Sequence, residues 1–360
     1  MQARPGDWKS AQIPLDQRKG MRLVGRMSRE AVANLLENAI AAREGLFDAA
    51  HETALRLFNG FFEGEPGLAI DLYASTAVFH DYADVPEQGR QLVEEAASVL
   101  RTRLPWLRAG VVKVRQGKTP LEKRGRMLFG GSPDTRICEH GVRYAVNLRM
   151  NRDASFYLDT RNLRAWAIGS MRGKTVLNTF AYTGSLGVAA IAGGAAGVVQ
   201  LDLNRRFLEM ARASLVLNGL PEDSTRLLEG DFWSQISRLK RSGTRFDCVF
   251  LDPPFFASTP KGVVDLARNS PRLINKVRPL INDGGHLVSV NNALFVSGRD
   301  YMESVEALCA DGCLSIEEII PVPDDFIAYP ATRVRGPVTD PAPFNHATKI
   351  AVLRVRRKDP

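Results

Sequence analysis

From Thr175 to the C-terminus the chain repeats one rhythm, strand then helix, and few folds accommodate it. Apolar and β-branched runs at 176–180, 198–203, 226–228, 246–251, 286–290, 316–321 and 350–355 read as strands. Helices are expected between the first six. A Pro-rich loop without a helix joins the last two, which suits an antiparallel final strand. The expectation is an α/β fold with a seven-stranded sheet.

Upstream the pattern is different. Residues 1–27 hold Arg4, Lys9, Arg18, Lys19, Arg22 and Arg26 among Pro and Gly, either a solvated tail or an RNA-contacting arm. From Ser28, an N-cap type, Val32, Leu35, Leu36, Ala39 and Ile40 fall on one helical face, and Gly45 would end that helix. Residues 68–73, 77–82 and 111–115 read as strands and 86–103 as a helix, a smaller α+β domain. Residues 137–144 read as a hairpin turning at His140-Gly141. The boundaries expected are 1–48 for arm and helix, 49–135 for the small domain and 136–360 for the large one.

Composition narrows the class. Of 360 residues, 44% are hydrophobic and the formal charge is +8, which suits a soluble protein with a polyanionic partner. Cys138, Cys248, Cys309 and Cys313 form no CxxC pair, so a reducing cytoplasm is expected and a disulfide framework is not. The apolar stretch 186–201 is broken at Gly193-Gly194 and Gly197 and reads as helix, turn and strand, not as a membrane span. No His/Cys/Asp cluster has metal-ligand spacing, so no metal is expected.

The strand 245–251 stops at Asp252-Pro253-Pro254-Phe255. Two prolines fix φ and remove two amide donors, leaving a stiff corner with one carboxylate, outward carbonyls and a ring. Such strand ends bind ligands in open α/β sheets. Asp252 and the Pro253 carbonyl are acceptors suited to an amino group or ring edge, and Phe255 offers a stacking face for a planar base. Asn178-Thr179-Phe180-Ala181-Tyr182-Thr183-Gly184-Ser185-Leu186-Gly187 bends from strand to helix, where N-terminal amides meet anions. Tyr182 stands where a dinucleotide fingerprint needs its first glycine, which argues against a dehydrogenase. Asp202, with Leu203, ends the next strand and suits ribose hydroxyls. Asp231 before Phe232 reads as a helix cap, an adenine contact, or both.

Asp-Pro-Pro-aromatic resembles the fourth motif of class I S-adenosylmethionine (SAM) methyltransferases that act on nucleobases. Asn178-x-Phe180-x-Tyr182-Thr183-Gly184, Gly193-Gly194-Ala195, Asp202 and Leu217-Asn218-Gly219-Leu220 resemble the first and second motifs of the bacterial large-subunit (23S) rRNA methyltransferases. Residues 54–60 and 65–71 are similar to that family's central domain, and Ser155-Phe156-Tyr157-Leu158-Asp159-Thr160-Arg161-Asn162 to the segment leading into its SAM domain. The resemblance runs from about Leu36 to Val290. It implies a Rossmann-like sheet, SAM as cofactor, and an RNA partner. Its cofactor contacts would be Phe156, Asp159, Arg161, Asn178, Phe180, Tyr182, Thr183, Gly184, Asp202, Leu203, Asp231, Phe232 and Asp252. Asp252, Pro253, Pro254 and Phe255 would be catalytic. Asp159 also reads as a helix-start acid.

Two departures bear on chemistry. The family's 5-methylcytosine members carry an N-terminal PUA domain, for which fewer than fifty residues leave no room. They also place a cysteine after the fifth strand, where this chain has Ser289-Val290-Asn291-Asn292-Ala293. Carbon 5 of cytosine needs a thiolate to activate the ring, whereas a base nitrogen has or can be given a lone pair. The leading expectation is direct methyl transfer to a nitrogen of an RNA base, guanine favoured. A 5-methylcytosine enzyme with a displaced thiol and a SAM enzyme for another substrate stay open, as does a homodimer. The segment 326–346 has no family counterpart and is expected as a lid; the basic run 113–126 could lie along a phosphate backbone, with plain surface charge the expectation for any single member.

Overall fold

The computed structural model describes residues 28–357. The basic arm expected at 1–27 lies outside the described residues.

The N-terminal sheet has five strands in sequence order: β1 Ala54–Asn59, β2 Leu68–Tyr73, β3 Thr76–Asp81, β4 Ala109–Val114 and β5 Arg126–Phe129. Only β3 and β4 pair in parallel, and the crossover between them is the helix Pro86–Arg103. The helix Arg29–Ala42 is capped by Ser28, whose hydroxyl accepts from the Ala31 amide at 3.2 Å. It ends before Gly45 because Arg43 turns inward, its guanidinium bonded to Glu63 and to the carbonyls of Ala39, Arg56 and Asp325. Sequence reading missed β1 and β5. Both are edges of the sheet, where period-two alternation is weakest.

A hairpin, β6 Arg136–Glu139 and β7 Val142–Ala145, follows, with His140 and Gly141 both at positive φ as its turn requires. The large sheet comprises β8 Thr175–Thr179, β9 Gly197–Asp202, β10 Thr225–Glu229, β11 Phe246–Leu251, β14 Ile281–Asn291, β15 Leu314–Ile319 and β16 Lys349–Val355. Its order is β10-β9-β8-β11-β14-β16-β15, and β16 runs antiparallel to both neighbours as expected. Apolar side chains alternate between two cores. Val176, Phe250 and Val352 face the helices Arg161–Ser170, Ser185–Ala192 and Arg205–Leu217. Leu177, Val249 and Leu353 face Phe232–Arg241, Leu266–Val277 and Gly298–Cys309. Both faces are covered, so the strands read as continuous apolar runs.

Sequence reading expected only a helix between β11 and β14. A hairpin precedes it, β12 Phe256–Thr259 and β13 Gly262–Asp265. Gly262 lies against the Trp233 indole, where a Cβ would come within 2.5 Å of a ring atom.

The expected lid is a strap. Asp325 accepts from the Arg56 amide at 2.9 Å and from both Arg161 terminal nitrogens at 2.7 and 3.0 Å. Asn59 donates to the Phe326 carbonyl, Thr332 to Glu63, and the Val334 amide to the Phe62 carbonyl. These bonds fasten the segment to the N-terminal sheet.

Candidate active site

The parallel strands β8, β9, β10 and β11 end on one edge, and the candidate residues stand on the loops leaving it. The loop after β8 holds Phe180, Tyr182 and Gly184 at positive φ. For the two non-glycine residues this costs about 1–2 kcal/mol each. The loop is held from several sides. The Tyr182 amide donates to Asp202 Oδ2 at 2.8 Å, Ala181 N to the Leu201 carbonyl at 2.9 Å, and Thr183 Oγ1 to the Ser155 carbonyl at 2.7 Å. Asn178 is buried and donates to Gln200, which reaches the Gly184 carbonyl. A Cβ on Gly184 would lie 2.4 Å from Ala211 Cβ, and one on Gly187 2.5 Å from the Gln200 amide. The close approach these glycines permit is to Gln200 and Ala211.

Asp202 accepts from the Tyr182 and Asn204 amides, and burial raises its pKa. Leu203 beside it is 58% exposed, an apolar side chain with no cover. Asp231 caps the helix Phe232–Arg241 through the Ser234 amide at 3.1 Å, and its other oxygen accepts from Thr259 Oγ1 at 2.7 Å. Phe232 is buried and stacks on Phe180 with centroids 4.6 Å apart.

At the end of β11, Asp252 is half-buried. Burial first, and then the neighbouring Asp159, push its carboxyl up to about 7; none of the described residues donates a hydrogen bond to it. Pro253 is buried. Pro254 and Phe255 are half-buried, and Phe255 packs on the core. The ring left outward is Phe256, 48% exposed at the start of β12.

The segment 156–161 divides its labour. Phe156 is buried with the Arg164 guanidinium 4.0 Å from its centroid. Arg161 is taken up by Asp325 and the Ala54 carbonyl. Asp159 lies close enough to Asp252 to act on it electrostatically; it accepts from Thr348 Oγ1 at 2.9 Å, and burial raises its pKa. Tyr157, Thr348, Phe256 and Thr259, beside the candidate residues, were not among those expected. The signal for Thr348 was its place just before the last strand, and for Thr259 there was none. His346 Nδ1 accepts from the Thr348 amide, and burial holds its pKa down at about 3, so the ring is neutral. That agrees with a packed histidine.

Within the basic run 113–126, Lys113 is not surface charge. It is fully buried, and its Nζ donates to the carbonyls of Arg124, Asn151 and Asp153. The cysteines stand elsewhere: Cys248 is buried within β11, Cys309 ends a helix, and Cys313 and Cys138 are half-buried. Among the described residues no His/Cys/Asp/Glu group could hold a metal, and no helix is long and apolar enough to cross a membrane.

A sheet ordered β10-β9-β8-β11-β14-β16-β15, with acids ending β9 and β11, defines an α/β enzyme of the methyltransferase type. The family model of S-adenosylmethionine-dependent methyltransferases matches residues 113–333, and the chain belongs to that family. SAM is therefore its cofactor. Among curated relatives, the ribosomal RNA large subunit methyltransferase I of Aeromonas hydrophila is 32% identical over 282 residues, 78% of this chain and 70% of that one. The protein of the same name from Shewanella denitrificans is 28% identical over 327 residues, 90% of this chain and 80% of that one. A crystal structure of a methyltransferase complexed with SAH shares the fold, with a TM-score of 0.78 at 23% identity over 91% of this chain and 82% of that one.

Proposed function

We propose that this protein methylates a nitrogen of a base in large-subunit ribosomal RNA, guanine favoured. The RNA rests on the names of the curated relatives and on the formal charge of +8.

The residues present fit the cofactor. Each oxygen of Asp202 accepts one backbone amide and keeps a lone pair for a ribose hydroxyl. Leu203 and Phe232 would flank the adenine, and Asp231 would take its amino group, sharing the oxygen now bonded to Thr259. The loop 182–184 and the first amides of the helix Ser185–Ala192 would meet the carboxylate end. Bound there, SAM supplies an electrophilic methyl group.

The observation that carries the reading is the Asp252 corner. Among the described residues nothing donates a hydrogen bond to its carboxylate, which stands at a strand end beside Asp159 with a buried proline behind it. It can accept N–H groups from the edge of guanine, and the Pro253 carbonyl can accept a second. Holding the base in line supplies about 7–11 kcal/mol of the barrier without a covalent step. No cysteine stands on this edge of the sheet to serve a carbon-5 reaction.

RNA containing 5-fluorocytidine tests the choice. The expected result is no SDS-resistant protein–RNA adduct, and turnover within about tenfold of wild type for Cys248→Ala, Cys309→Ala and Cys313→Ala, about 1.4 kcal/mol of barrier. An adduct lost in one of these variants would make the protein a cytosine-C5 enzyme.

A further inference from the structure

We propose that Tyr82 and Tyr157, joined through Arg115 and Asp153, form a ledge that stacks the unpaired nucleotide flanking the target base. The proposal rests on the RNA reading above and adds where the strand lies.

The two rings come from different parts of the chain. Tyr82 follows β3 of the N-terminal sheet, and Tyr157 stands between β7 and the helix Arg161–Ser170. They are 43% and 44% exposed, yet both are fixed in place. The Arg115 guanidinium lies 5.5 Å from the Tyr82 centroid, covering one face of that ring. Arg115 also donates to the Arg152 carbonyl at 3.3 Å and to Asp153 Oδ1 at 3.5 Å. The Tyr157 hydroxyl donates to the other oxygen of Asp153 at 3.2 Å. One ion pair thus anchors both rings. Tyr157 continues inward onto Tyr182, with centroids 5.2 Å apart, and lies close enough to Asp252 for the two to interact electrostatically. The ledge therefore begins at the corner where the target base would sit.

An exposed aromatic ring braced by a cation is a surface for another flat group. Bases stack on such rings with little regard to sequence, and an arginine on the far face strengthens the stack. The surroundings suit a polyanion. Lys113 binds the carbonyls of Arg124, Asn151 and Asp153, bringing the segments 115–125 and 149–153 side by side, and Lys118, Arg124 and Arg149 on them are exposed. Flat faces need an unstacked base, so the occupant is single-stranded RNA and not a duplex.

Fluorescence anisotropy with the full chain would use a labelled twelve-nucleotide single-stranded RNA and a duplex of equal length. Tyr82→Ala and Tyr157→Ala should each weaken single-strand binding about tenfold. Tyr82→Phe, which keeps the stacking face and its Arg115 cover, should stay within about twofold, and the salt slope should not change because phosphate contacts remain. Irradiating wild type with the same RNA carrying 5-iodouridine should cross-link it to peptides containing Tyr82 or Tyr157, which decides the matter even where an alanine variant unfolds. Alanine variants that fold and bind like wild type, a duplex bound as tightly as the single strand, or cross-links elsewhere would overturn the ledge. Wild type that binds neither RNA would overturn the RNA reading itself.

Discussion

The Tyr182 amide donates to Asp202 Oδ2 at 2.8 Å, so the carboxylate ending β9 holds the strained loop after β8 in shape. One residue thus holds the loop after β8, and under the proposed reading its remaining lone pairs would be offered to the ribose of SAM. Asp202→Ala leaves two half-buried amides without their acceptor, a loss of about 0.5–1.5 kcal/mol per bond. Calorimetry should show SAH binding weakened by more than about tenfold, with Asp202→Asn in between because it keeps one acceptor oxygen. SAH bound by the alanine variant as by wild type would remove Asp202 from the cofactor site.

Asp252 gives a pH signature. Unfolded, its carboxyl titrates near about 3.9; folded, burial and Asp159 push it up to about 7. Between these values the folded state keeps a proton that the unfolded state has lost, so this group makes stability fall as pH rises from about 4 to about 7, with no further change above. Asp252→Asn removes that contribution. Its melting temperature should gain on wild type from pH 4.5 to pH 7, and a constant difference would contradict the assignment. Catalysis should go the other way, since the acceptor is the carboxylate. Wild-type turnover should rise through about pH 7, and the variant should be about 100-fold slower or worse and lack that rise.

Gly184 is a packing constraint. A methyl group there meets Ala211 Cβ at 2.4 Å, and φ is +76°. Gly184→Ala should cost roughly 2–4 kcal/mol in urea unfolding, whereas Gly169→Ala, with nothing near its Cβ, should not destabilise.

Asp325 is the buckle of the strap. Its carboxylate is buried and paired with Arg161 and the Arg56 amide. Asp325→Ala leaves Arg161 without that counter-charge and should lower stability by about 3–5 kcal/mol. Proteolysis should then cut within 322–347 sooner than in wild type. Unchanged cleavage would show that the segment is held by its other bonds.

Local signals were legible. The central strands β8 and β11 are largely buried, so their apolar runs stood out, and Asp252-Pro253-Pro254 stood out through its backbone chemistry read together with the neighbouring motifs. What escaped depended on distant partners. Arg161 matched a cofactor motif, but its guanidinium is taken up by Asp325, 164 positions away. The hairpin 256–265 has four-residue strands and rests on Trp233, which no periodicity reveals. Lys113 looked like surface charge, since only tertiary structure supplies the three carbonyls that let a lysine be buried.

Mass spectrometry of the modified RNA would show whether the methyl group of SAM passes to a base nitrogen of large-subunit rRNA. Purified protein would be incubated with SAM carrying a trideuterated methyl group and with large-subunit rRNA transcribed in vitro, and the RNA digested to nucleosides for mass spectrometry. Deuterated methyl is expected on a base nitrogen, with guanosine the nucleoside. Deuterium in 5-methylcytidine, or in no nucleoside while SAM still binds, would contradict transfer to a base nitrogen.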